Sequence, residues 1–100
     1  MESYAVLWSA PSGPVEAGKL ELEQRGLRFE GSAGSRQVSY AEIEALHIGR
    51  LGPERLGGRP ALVLDLFAGG PLRIGSINGA GLLQELAQRL GAMRTAGVAT

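Results

Sequence analysis

The chain has 100 residues, 44% of them apolar, with ten basic and ten acidic side chains, a formal net charge of zero and no cysteine. That length suits one domain with enough apolar side chains for a core of its own. The totals exclude disulfides, thiol nucleophiles and zinc–thiolate sites, and they leave no net basic footprint for nucleic acid.

The first element in chain order is also the longest apolar run, Tyr4-Ala5-Val6-Leu7-Trp8. Five residues are too few for a membrane-spanning helix or a signal-peptide core, and the run reads as a strand. Tyr4, Val6 and Trp8 share one face, and Ala5 and Leu7 the other. A strand apolar on both faces needs cover on both. Either one face packs in the core while the other lies under the loop from Ser9, or one face is a partner surface, since exposed aromatics favour interfaces.

Residues 9–17, with two prolines and a glycine, link this strand to a hairpin. Lys19-Leu20-Glu21-Leu22-Glu23 alternates strictly, and Leu27-Arg28-Phe29-Glu30 alternates again. The intervening Glu23-Gln24-Arg25-Gly26 suits a type I turn closed by a left-handed glycine. That register sets Leu22 opposite Leu27 and Leu20 opposite Phe29 on one face. On the other it sets Glu21 opposite Arg28 and Lys19 opposite Glu30, pairs of opposite charge worth about 0.2–1 kcal/mol each.

Gly31 to Ser35 is the next turn, and Val38 and Tyr40 face inward on a short strand. Ala41-Glu42-Ile43 makes a bend, and Leu46 and Ile48 alternate on a further strand. Residues 50–60, Arg50-Leu51-Gly52-Pro53-Glu54-Arg55-Leu56-Gly57-Gly58-Arg59-Pro60, have turn chemistry throughout and form the longest loop. In a second hairpin Leu62, Leu64 and Leu66 alternate with Val63, Asp65 and Phe67. Ala68-Gly69-Gly70 turns the chain, and Leu72 and Ile74 return. A three-residue loop there places Leu66 opposite Leu72, Leu64 opposite Ile74 and Asp65 opposite Arg73.

Asn78 is a good helix N-cap. Leu82, Leu83, Leu86, Leu90 and Met93 then fall on one stripe, and Gly91 is placed to end the helix. About three turns of helix are marginal alone, so this one must dock on the sheet. The reading is a single domain over residues 1–92 with a frayed tail at 93–100.

About seven antiparallel strands in a sandwich or partly open barrel, capped by one C-terminal helix, resemble the pleckstrin-homology-like superfold. Gly18-x-Leu20-x-Leu22 followed by Gly26-Leu27-x-Phe29 is similar to the opening hairpin of bacterial pleckstrin-homology-like and GRAM-related domains. Val38-x-Tyr40-x-x-Ile43 and Leu46-x-Ile48 are similar to their next two strands. The resemblance covers roughly residues 4–92, and its motifs concern fold more than function. It implies a bent sandwich whose helix plugs one open end, binding rather than catalysis, and ligands drawn from phosphoinositide head groups, peptides, other proteins or a second copy.

Phosphoinositide binding in that family uses cations around the first loop, and residues 9–17 hold none. Lys19, Arg36 and Arg73 are the sparse alternative set for an anionic lipid surface, with Arg73 paired to Asp65 if the charges are merely structural. Arg50, Arg55 and Arg59 cluster on the long loop. They either capture a carboxylate or phosphate with forked donors or remain solvated with Glu54 as a local partner. His47 points away from Leu46 and Ile48 with no acid pattern near it in sequence, which marks neither a metal site nor a catalytic base. No serine sits in a nucleophile elbow. Gly57-Gly58, Gly69-Gly70 and Asn78-Gly79-Ala80-Gly81 lack phosphate-loop or dinucleotide spacing. Neither a cofactor nor a metal is expected.

The expectation is a non-enzymatic, cytoplasmic protein-interaction or self-association module, with Tyr4, Val6 and Trp8 as its first contact surface and Arg50, Arg55 and Arg59 as its second. A lipid-surface binder using Lys19, Arg36 and Arg73 is one rival. A small-ligand carrier or enzyme with its site between the sheets is another.

Overall fold

In the computed structural model, which describes residues 2–10, 13–31, 34–56, 58–77 and 81–98, the alternating segments form seven antiparallel strands followed by one helix. The strands are β1 (Glu2–Ser9), β2 (Val15–Leu22), β3 (Gly26–Gly31), β4 (Gly34–Ser39), β5 (Ile43–Gly49), β6 (Ala61–Leu66) and β7 (Pro71–Ser76), and the helix is α1 (Gly81–Val98). They make one sheet in the order β4-β3-β2-β1-β7-β6-β5, curled into a half-barrel.

The β2–β3 hairpin has the register that its sequence dictates. Leu22 faces Leu27, Leu20 faces Phe29, Glu21 faces Arg28 and Lys19 faces Glu30. Leu20, Leu27 and Phe29 are buried on the concave side. On the wet side Lys19 Nζ lies 3.4 Å from Glu21 and 3.8 Å from Glu30, and Arg28 reaches Glu30 at 3.5 Å. Two period-2 patterns in phase exclude any odd slip, which would turn the leucines out of the core, and the turn length and charge pairs then agree with this register.

Strand β1 pairs with β2 along one edge and with β7 along the other. Val6 and Trp8 point into the core, where the Trp8 ring stacks on Phe29 with centroids 5.2 Å apart. The core continues through Leu62, Leu64, Leu72 and Ile74 on the far half of the sheet.

A 3₁₀ turn at Tyr40–Glu42 joins β4 to β5. Ser39 caps it: its hydroxyl accepts from the Ala41 N–H at 3.2 Å, and the Glu42 carboxylate accepts from the Ser39 N–H at 2.7 Å. The Tyr40 hydroxyl donates to the Glu23 carbonyl at 2.6 Å, tying this turn to the β2–β3 turn. Burial, with the charge of Glu23 beside it, raises the Tyr40 phenol above its ordinary pKa.

The second hairpin differs from its expected register by two residues. Leu64 faces Leu72, Leu62 faces Ile74, Val63 faces Arg73 and Asp65 faces Pro71. The turn is longer, the β6–β7 ladder ending at Asp65 and Pro71, while on the other edge of β6 Leu66 pairs with Ile43 of β5 and the Phe67 N–H donates to the Glu42 carbonyl at 3.0 Å. Gly69 and Gly70 then reverse the chain, with φ of 96° and 82°. A slip of two keeps every side chain on its face, so the core is as expected while the Asp65–Arg73 pair does not form.

The helix also runs further than its sequence suggests. Gly91 does not end it, and residues 93–98, expected as a frayed tail, are helical to Val98. Glycine inside a helix costs only about 1 kcal/mol relative to alanine, and Met93 beyond it still packs against the core. Asn78, expected as the N-cap, lies outside the described residues. Leu83, Leu86 and Leu90 are buried, and the helix packs on the 3₁₀ turn at Tyr40–Glu42 and on β5, β7 and β6.

Leu86 is fully buried at the centre of that seam. Leu86→Asp loses its packing and buries an unpaired charge, a cost of about 4 kcal/mol or more against a typical total of ~5–15. The expected result is loss of the cooperative thermal transition followed by circular dichroism. A normal transition would remove the docked helix from the account of stability.

Candidate functional site

The turn-rich segment between β5 and β6 is a built structure. A second 3₁₀ turn lies at Gly52–Glu54, and Leu56 and Arg59 exchange backbone hydrogen bonds of 2.9 and 3.2 Å in a small isolated bridge. Arg55 works within the loop, its Nε donating to the Arg50 carbonyl at 2.9 Å and its Nη1 reaching the Gly58 carbonyl at 3.5 Å. Arg73 ties the loop to β1. One of its guanidinium nitrogens donates to the Arg55 carbonyl at 3.2 Å and the other to the Ser9 hydroxyl at 3.4 Å.

A third tie comes from His47. Its Nε2 stands 2.9 Å from Glu54 Oε2, and its Nδ1 stands 3.7 Å from Asp65 Oδ2. The two carboxylates flank opposite nitrogens of the ring, so they do not converge on one point. Among the described residues no cluster of three or more such groups is placed to hold a metal ion. The bond to His47 first, then the backbone N–H groups of Leu51 and Arg50, hold the Glu54 carboxyl below its ordinary pKa. Glu54 is therefore the partner of His47 and not of the loop arginines.

This fastened loop drives Leu56 onto the convex face of the sheet, where it is buried beside Gly75 and Leu7. Leu7, on the second apolar face of β1, gains cover there from the 50–60 loop.

Beside Leu56 a groove of about 610 Å³ opens where β5 and β7 end and β6 begins. Leu7, Leu56, Ile77 and Leu83 line it together with Arg50 and Arg59. Its remaining polar side chains, Ser76 and Gln84, are neutral, and no Asp, Glu or Lys lines it. The volume, the apolar lining and the few polar groups match small-ligand sites in general.

The residues expected to form sites separate accordingly. Val6 and Trp8 are core residues, 0% and 4% exposed, and Tyr4 packs partly buried against the same core. Their shared face is therefore interior and is no contact surface. Arg50 and Arg59 come together at the groove, while Arg55 is spent inside the loop. Lys19, Arg36 and Arg73 do not converge. Arg36 is on the edge strand β4, with three strands between it and Arg73 on β7, and Lys19 is engaged with Glu21 and Glu30. The space between the halves of the sheet is filled by core side chains, so the groove lies at the end of the strands instead.

Sequence reading missed Leu7, Leu56, Ile77 and Leu83 as groove residues and Glu54 and Asp65 as partners of His47. One signal was available. Leu51 and Leu56 are two leucines amid turn chemistry, and a buried leucine is the simplest reason for a glycine- and proline-rich loop to fold back, although the sequence alone does not choose Leu56 over Leu51.

A scan against protein-family models finds no match, and a comparison with curated protein sequences finds none either. The fold is shared with a solved structure, the crystal structure of the C-terminal domain of an unknown protein from Leishmania infantum. The TM-score is 0.74 at 13% identity, over 95% of this chain and 83% of that one. At that identity the likeness concerns the fold alone. Among the described residues no helix is long and apolar enough to cross a membrane.

Two measurements check the fastening of the loop. At Gly49 a Cβ would stand 2.5 Å from Glu54 Cβ and 2.9 Å from Val63 Cγ2, whereas at Gly52 a Cβ meets nothing within 4 Å. Gly49→Ala is expected to lift the loop and cost about 1–3 kcal/mol in urea unfolding, with Gly52→Ala within about 0.5 kcal/mol of wild type. Equal effects of the two would overturn the close approach.

Glu54 also makes the fastening acid-sensitive. Its carboxyl is lowered in the folded state. It therefore adds stability above the ordinary glutamate range and loses that contribution as pH falls through the lowered value. An NMR titration should show the Leu51 and Leu56 amides moving with the Glu54 carboxyl, below the ordinary range. Amides that stay still through that step would refute the coupling.

Proposed function

We propose that this chain is a non-enzymatic binding module of the pleckstrin-homology-like type whose seat is the groove between the 50–60 loop and the start of α1. The observation that carries the reading is a single one: an apolar groove of about 610 Å³ whose charged lining residues, among the described ones, are Arg50 and Arg59. The strand order β4-β3-β2-β1-β7-β6-β5, with a C-terminal helix packed on the sheet, supports the superfold assignment. The lack of cysteine suits a reducing compartment, and the same proposal puts the module in the cytoplasm.

A ligand-carrying role follows from the dimensions of the groove. A protein-interaction or self-association role has its own support. Ile77 on the groove wall is 43% exposed, and Leu51, directly after Arg50, is 70% exposed. Apolar side chains exposed around a cleft suit a partner that covers more than the cleft. The lipid-surface reading has less behind it, because Lys19, Arg36 and Arg73 are dispersed over the sheet.

Ile77→Asp tests the seat, because an exposed position tolerates the charge without loss of fold. A panel of apolar fragments, followed by methyl NMR on the wild-type protein, should shift Leu7, Ile77 and Leu83. In Ile77→Asp the shifts at Leu7 and Leu83 should disappear at an unchanged melting temperature. Fragments that leave those methyls unmoved would overturn the groove as the seat. If wild type also captures a protein, or its own untagged copy, that Ile77→Asp loses, the occupant is a protein.

A further inference from the structure

We propose that the groove is a receptor site for a small carboxylic acid with an apolar tail, the carboxylate held between Arg50 and Arg59. This inference rests on the groove being the seat of binding, and it adds the chemistry of the occupant.

The argument begins with how the loop distributes its charges. It contains three arginines and one acid. Arg55 is consumed by two backbone carbonyls, and Glu54 is turned away onto His47. Among the described residues no ion pair joins a carboxylate to Arg50 or Arg59. The chain is neutral overall, and this groove places two guanidiniums without an ion pair beside an apolar surface. Both are exposed, and both residues use backbone groups to build the loop, which leaves their side chains for another task.

An arginine pair selects an oxyanion, since each guanidinium offers forked donors to two oxygens. The apolar lining selects the rest of the molecule. Bare inorganic phosphate would leave Leu7, Leu56, Ile77 and Leu83 without contact. A single carboxylate is enough to engage both guanidinium forks while the rest of the ligand stays apolar. A nucleic acid or a membrane surface needs more cations than two. A monocarboxylate joined to an alkyl or aryl tail satisfies the guanidiniums and the lining together. A volume of about 610 Å³ is that of a small-molecule seat.

The test uses the intact chain with decanoate, octanoate and decanol, each below its aggregation limit, read by calorimetry and by the methyl resonances of Leu7, Ile77 and Leu83. Decanoate is expected to bind at the groove, and octanoate roughly tenfold weaker for its two lost methylenes. Decanol should be at least roughly tenfold weaker than decanoate, the loss typical of one charge-assisted interaction. Arg50→Gln and Arg59→Gln should each weaken decanoate by a similar factor and leave decanol unchanged.

If decanol binds as well as decanoate and the arginine variants change nothing, the head-group assignment fails while the groove remains the seat. If neither compound moves the groove methyls, both readings fail. If a leucine-terminated peptide with a free carboxylate binds and decanoate does not, the site belongs to a protein's C-terminus and the small-acid inference is overturned.

Discussion

Strand β1 is the member on which the rest of the sheet hangs. It is hydrogen-bonded to β2 on one side and to β7 on the other, so the start of the chain joins the first hairpin to the last. Without it β2 to β4 and β5 to β7 are separate meanders, each with an unpaired edge and half a core. Its alternation serves both surfaces. Val6 and Trp8 supply the concave core, and Leu7, on the other face, receives Leu56 and becomes a groove wall. A strand with two duties must be apolar on both faces, which is the feature that made it stand out in the sequence.

What was legible followed from parity. The β2–β3 register could be read because turn length, leucine phase and charge pairing all agree, and any odd slip would expose Leu20 and Phe29. The β6–β7 register could be read only modulo two. Parity fixes the face of Leu62, Leu64, Leu72 and Ile74, and nothing local chooses between turns that differ by two residues. In the fold the β6–β7 ladder closes at Asp65 and Pro71, one of the registers that parity allows. Gly91 was misread for a similar reason. The local rule for helix ends competes there with the apolar stripe that continues to Met93, and the contact of Met93 with the core decides for the stripe.

The candidate site was legible in its charges and not in its walls. Arg50 and Arg59 stand out because arginines recur in a loop of a neutral chain. Their separation from Arg55 depends on which carbonyls the loop folds toward, and that is a tertiary matter. His47 illustrates the limit more sharply. Glu54 is seven residues away and Asp65 lies on the next strand, so no motif spacing announces the pair. Only the β5–β6 pairing and the folded-back loop bring them to one ring.

The loop is thus the point where stability and binding meet. Three polar ties hold it: Arg73 to the Arg55 carbonyl, Arg55 to the Arg50 carbonyl, and His47 to Glu54. All three are exposed, and exposed ties are each worth little. Leu56 is the apolar anchor that they guide into place, and its burial supplies about 1.5–3 kcal/mol in one step. The same insertion sets one wall of the groove and fixes where Arg50 and Arg59 leave the backbone. A loop fastened this way fixes where Arg50 and Arg59 leave the backbone with no ligand bound, so an anionic occupant would bear little of the cost of ordering the loop and only that of ordering the two side chains. Preorganisation of that kind is a reason for a turn-rich segment to retain a leucine at its centre and an acid directed at a histidine.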